Sequence, residues 1–121
     1  MKYAKITLLI SLAGLILSMN ACKKESLHHA NIWIPSAFSP NYDGQNDTFG
    51  PSVYELEYTD YSMTIIQDGV EVFKTKDLAE QWNGIGRNGN RCPIGCYLYE
   101  IRFKFKDNTE DDRVGAVMLI D

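Results

Sequence analysis

Phe38-Ser39-Pro40-Asn41-Tyr42-Asp43-Gly44-Gln45-Asn46-Asp47-Thr48-Phe49 is the stretch around which the chain is organised. Two aromatic residues bracket ten residues of turn chemistry. Pro40 fixes its own φ and drives Ser39 towards an extended conformation, which disfavours a helix here. Asn41, Asp43, Asn46 and Asp47 each carry a side-chain oxygen that folds onto nearby backbone N–H groups, and Gly44 accepts a positive φ. The stretch predicts a tight, oxygen-rich loop, pinned at both ends by rings that seek burial.

The chain around this loop reads as strands. Residues 31–35, Asn-Ile-Trp-Ile-Pro, form a short apolar candidate closed by proline. Residues 52–58 alternate, with Val53, Glu55 and Glu57 against Tyr54, Leu56 and Tyr58. Residues 61–67 and 70–75 flank Asp68-Gly69, a pair that predicts a hairpin because both turn positions demand φ > 0. One helical turn is expected at residues 77–81. Residues 84–90, rich in glycine and asparagine, predict a loop of tight turns. The clearest strand is 96–106: Tyr97, Tyr99, Ile101, Phe103 and Phe105 face one way, Leu98, Glu100, Arg102, Lys104 and Lys106 the other. An acidic connection, 107–112, leads to a closing strand, 113–121.

Several of these pieces carry a family resemblance. Residues 35–49 resemble the opening of the gliding motility-associated C-terminal domain, the type B sorting domain of the type IX secretion system. Its usual wording is Pro-Asn-x-Phe-(Ser/Thr)-Pro-Asn-Gly-Asp-Gly-x-Asn-Asp-x-Phe. Phe38, Pro40, Asn41, Asp43, Gly44, Asn46, Asp47 and Phe49 match it, while Tyr42 stands in place of the first glycine. Trp82-Asn83-Gly84 resembles the family's Trp-Asp-Gly. Gly95, Tyr97 and Tyr99 follow its Pro-x-Gly-x-Tyr-x-Tyr, and the terminal strand is similar too. The family's Asn-Arg-Trp-Gly hairpin is replaced by the shorter Gln67-Asp68-Gly69. The resemblance implies an immunoglobulin-like antiparallel β-sandwich of about seven strands. It covers residues 32–121.

The N-terminus reads differently. Residues 1–21 have the basic, apolar and small-residue order of a signal peptide, with an apolar run too short for a bilayer. Leu17-Ser18-Met19-Asn20-Ala21-Cys22 resembles a lipobox, which implies cleavage before Cys22 and lipidation of its thiol. Residues 22–30 form a charged tether and residues 31–121 the sandwich domain. His28 and His29 lie in the tether with nothing beside them to complete a metal site. The chain has 12 basic against 16 acidic residues, and loss of Lys2 and Lys5 makes the remainder more acidic still. That balance argues against nucleic-acid binding.

Three candidate chemistries remain. Asn41, Asp43, Gln45 and Asp47 stand at alternate positions, as oxygen ligands do in calcium loops. The same residues also suit a loop satisfied by its own backbone. Cys92 and Cys96, four apart, suit either a small structural disulfide or two separate thiols. Tyr54, Tyr58 and Tyr61 are either half-buried sheet residues or an exposed binding patch. No nucleophile–base–acid set occurs, so an enzyme is not expected. Lipobox, tether and domain account for the chain and leave no passenger to sort. The leading expectation is therefore an outer-membrane lipoprotein, on the periplasmic or cell-surface face, whose sandwich binds a protein partner of the secretion or gliding apparatus. The alternative is a sorting domain proper, as a cargo or the remnant of a larger secreted protein.

Overall fold

The structure is a computed structural model and describes residues 31–121. Seven strands form: β1 (Ile32–Trp33), β2 (Ala37–Phe38), β3 (Ser52–Val53), β4 (Tyr58–Gln67), β5 (Val70–Thr75), β6 (Gly95–Phe105) and β7 (Glu110–Leu119). Five make one sheet in the order β2-β7-β6-β4-β5, while β1 and β3 pair as a second, small sheet. The two enclose one core, giving the all-β immunoglobulin-like sandwich that the resemblance implies.

Strand β6 is the axis of the large sheet because its alternation is the strongest. Tyr97, Ile101, Phe103 and Phe105 are buried, while Leu98, Arg102 and Lys104 are exposed. Its antiparallel neighbours place Tyr61 opposite Phe103, Met63 opposite Ile101 and Val117 opposite Tyr97. A period of two then carries Ile65 and Leu119 to the same inner face. The β4–β5 hairpin turns at Asp68 (φ 51°) and Gly69 (φ 77°), the two left-handed positions that an Asp-Gly turn supplies.

Among the described residues the one parallel strand pairing is β2 on β7, with Ala37 opposite Met118 and Phe38 opposite Leu119. The Met118 N–H donates to the Ser36 carbonyl at 2.9 Å and the Ile120 N–H to that of Phe38 at 3.0 Å. The opening segment is thus zipped to the end of the last strand, which aims the Phe38 ring into the core.

Three expected elements differ. Residues 52–58 are not one strand: β3 stops at Val53, and Glu55 adopts φ 47°. Val53 and Leu56 both pack on the core. They are three apart, a spacing that an alternating strand cannot bury on one face. Residues 77–81 form no helix; Asp77 caps a turn, accepting from the Ala79 N–H at 2.9 Å. The acidic connection before the last strand is shorter than residues 107–112, since β7 begins at Glu110. Asp111 is buried there because it pairs with Arg113 at 3.3 Å, and Arg113 Nη1 donates to the Ile32 carbonyl at 3.0 Å. The Arg113–Ile32 hydrogen bond fastens β1 to the closing strand.

Phe38 and Phe49 are 1% and 0% exposed. Truncating either to alanine should cost about 3–5 kcal/mol, read as a drop in the urea or thermal midpoint. A midpoint within error of the wild type would show that the rings do not close the core.

Candidate functional site

The opening loop is built by side chains folding onto backbone. Asp47 accepts from the Tyr42 N–H at 3.0 Å through Oδ1 and from the Gly44 N–H at 2.8 Å through Oδ2. Asp43 Oδ1 accepts from the Gln45 N–H at 2.8 Å, and Asn41 Oδ1 from the Asp43 N–H at 3.1 Å. The Ser39 N–H donates to the Asn46 carbonyl at 2.7 Å, closing the loop at its neck. Tyr42 and Asn46 both sit in the left-handed region, at φ 61° and 52°. The family's usual glycine at position 42 therefore has a physical reason: Tyr42 holds a conformation that costs a side-chain-bearing residue about 1–2 kcal/mol.

Asn41, Asp43, Gln45 and Asp47, the residues considered for calcium, do share this loop. Both oxygens of Asp47 and one of Asp43 are directed at N–H groups, whose positive ends compete with a cation for the same oxygens. Among the described residues no group of three or more His, Cys, Asp or Glu is placed to hold a metal. The geometry is that of a clasp tied by its own backbone.

Beneath the clasp the other motif residues converge. Trp82, fully buried, exchanges two backbone hydrogen bonds with Phe49, at 2.8 and 2.9 Å. Its indole N–H donates to the Ile85 carbonyl at 3.1 Å. Its ring lies 5.1 Å from that of Phe38 and 5.0 Å from that of Tyr97. The Phe49 ring in turn lies 5.4 Å from that of Tyr99. Gly84 adopts φ 82°, and a Cβ there would meet Pro40 Cγ at 3.1 Å, so glycine is demanded twice over. Arg91 Nη2 donates to the Pro40 carbonyl at 2.9 Å and ties the second loop to the first. Gly95 opens β6, and the Tyr97 hydroxyl donates to the Pro93 carbonyl at 2.6 Å. The matching motif residues are therefore brought together at one end of the sandwich. The rings among them serve as core, while Asn41, Asp43, Asn46 and Asp47 shape the loop.

The disulfide reading of Cys92 and Cys96 is corrected: both are free thiols. Cys96 is exposed, on the strand face opposite buried Tyr97. Cys92 lies half-buried before the Pro93-Ile94-Gly95 turn, and burial pushes its thiol above the usual range. The tyrosine patch also separates. Tyr54 is exposed, Tyr61 is core, and Tyr58 packs edge-on against Phe103 at 5.8 Å. Cys22, His28 and His29 lie outside the described residues.

Sequence reasoning missed two exposed features. On the outer face of the large sheet, Leu98, Val114 and Met118 are 54%, 75% and 43% exposed. Cys96 and Met118 are directly opposite one another, as are Leu98 and Ala116, so the apolar side chains adjoin. Further along the same face the residues are charged, with Arg102 paired to Glu100 at 2.5 Å. The second feature is Trp33, exposed beside the opening loop. The alternation of 96–106 already placed Leu98 outside; nothing in it signalled an apolar neighbour across the sheet.

The sandwich is closed by the Phe-Ser-Pro-Asn clasp over the Trp-Asn-Gly turn, of which Trp82 and Gly84 are buried, as the sequence resemblance implies. The family model described as CHU_C type IX secretion signal domain matches residues 32–119, and the chain belongs to that family. It is a family of sorting signals and not of enzymes. No curated protein matches the chain.

Two outcomes follow from the clasp and its neighbours. Tyr42→Gly should raise the thermal midpoint by relieving the left-handed tyrosine, and Asp47→Ala should cost about 1–3 kcal/mol by removing two hydrogen bonds to a charged acceptor. Both shifts should be the same with and without a chelator; a calcium-dependent midpoint would overturn the clasp reading. Maleimide should label Cys96 in the native protein, while Cys92 needs pH above the ordinary thiol range or unfolding. Absence of any reactive thiol after denaturation would restore the disulfide.

Proposed function

We propose that this chain is an envelope protein anchored by lipid on Cys22, whose sorting-type sandwich docks on a protein partner at the outer membrane. Family membership supports a place in the cell envelope or among secreted proteins. The observation that carries docking is the outer face of β6 and β7, where exposed Leu98 stands opposite exposed Ala116, with Met118 and Val114 exposed on either side of Ala116 along β7. Scattered surface hydrophobics are ordinary, whereas contiguous ones mark interaction sites. The neighbouring charges pair among themselves, which leaves the apolar half as the part that gains most from being covered. An apolar partner surface in the type IX secretion or gliding apparatus fits that face. Several acyl chains at Cys22 anchor more firmly than one and would hold the domain at the membrane where such a partner resides.

The second reading, a sorting signal carried as cargo or left from a larger secreted protein, rests on the family match itself. The two separate on one experiment. Under the docking reading, Cys22→Ser releases the protein from the membrane fraction or leaves an uncut precursor. A photo-crosslinker at position 114 then captures one envelope protein, and Leu98→Lys abolishes capture without lowering the midpoint. A Cys22→Ser protein that stays in the outer membrane at unchanged size, or a crosslink indifferent to Leu98→Lys, would contradict it.

A further inference from the structure

Away from the β6–β7 face, a groove of about 300 Å³ runs between β1, β3 and the opening loop. That is the lower end of the ~300–1,000 Å³ typical of small-ligand sites. Trp33 forms one wall and is 63% exposed. Strand alternation explains why position 33 faces outward once Ile32 is buried, but any polar residue would satisfy that requirement. An indole there leaves a flat apolar surface exposed that strand alternation alone does not require.

The opposite wall is polar and pre-set. The Thr48 hydroxyl donates to Gln81 Oε1 at 2.5 Å, which fixes the carboxamide and leaves its NH₂ hydrogens for another acceptor. Gly50 makes room for this: a Cβ there would meet Gln81 Cγ at 2.9 Å. Asp47 uses its oxygens on two N–H groups and keeps further lone pairs for hydroxyl donors. Asn46 completes the rim. A flat ring with one C–H face and an edge of hydroxyls is what such a groove recognises: the face stacks on the indole, and the hydroxyls bond the amide and carboxylate oxygens. We propose that the Trp33 groove binds a pyranose unit of a neutral glycan. A cationic side chain would also face Trp33 and Asp47, but four of the five polar lining residues, Asn46, Thr48, Ser52 and Gln81, are uncharged, and both oxygens of Asp47 already accept from N–H donors. This inference does not depend on the docking face or on the lipid anchor.

The test uses the full chain and its own fluorescence. It has two tryptophans, and Trp82 is fully buried, so ligand-dependent changes report on Trp33. Cellohexaose, xylohexaose, mannohexaose and chitohexaose are titrated in turn, with hexalysine as the cationic arm. At least one oligosaccharide should shift the emission to the blue saturably, shield it from acrylamide, and do so equally at low and high salt. Trp33→Ala should abolish the binding measured by calorimetry, Trp33→Phe should retain it, and Gln81→Ala should weaken it about tenfold, the equivalent of one hydrogen bond. Trp33 is exposed, so Trp33→Ala should melt as the wild type does; should it fail to fold, acrylamide shielding in the wild type decides alone. No response to any of the four sugars, undiminished binding by Trp33→Ala, or a salt-sensitive response to hexalysine only would overturn the proposal.

Discussion

The backbone bridge between Phe49 and Trp82 is the contact on which the sandwich depends. It joins residues 33 positions apart that lie in no regular strand, and it sets both rings at the centre of the core. From Trp82 the aromatic contacts run to Phe38 and to Tyr97, and from Phe49 to Tyr99. One bridge thus couples the opening loop, the Trp-Asn-Gly turn and the central strand. Edge-to-face and tilted rings of this kind gain about 0.5–1.5 kcal/mol per pair beyond the area they bury. The small sheet of β1 and β3 covers little of the core by itself, so these rings supply the missing layer.

This arrangement explains the division between inside and outside. The family's ring positions lie in or against the core and Gly84 at a close approach to Pro40, where packing at crystal-like density tolerates little change, whereas Gly44 is set by its positive φ in an exposed loop. Surface positions are free of that constraint. There the chain carries an apolar half-face on β6 and β7, a self-neutralising charged half beyond it, and an exposed indole over a polar groove.

Much of this was legible in the sequence where a single period ruled. The 96–106 alternation gave β6 and its inner face, and Asp68-Gly69 gave the β4–β5 turn. The motif resemblance gave the clasp and Trp82. What was hidden arose from pairings between distant residues. Nothing local revealed that Ala37 and Phe38 would lie parallel to β7, or that Arg113 would pair with buried Asp111 while donating to the Ile32 carbonyl. Residues 52–58 misled because their alternation concealed Val53 and Leu56 at a spacing of three. Cys92 and Cys96 have the spacing for a small ring, but an intervening turn and the strand pleat leave both as thiols. The Trp33 groove needed three segments together before it existed.

Hydrogen exchange at four amides tests the account most directly. The Phe49 and Trp82 N–H groups donate across the bridge, and those of Met118 and Ile120 hold the opening segment to β7. If these contacts close the sandwich, all four exchange only by global unfolding, with the same opening free energy as Ile101 and Phe103 in β6. Fast exchange at Phe49 and Trp82 while Ile101 and Phe103 stay protected would contradict it, and would make the clasp an ornament on a sheet that folds without it.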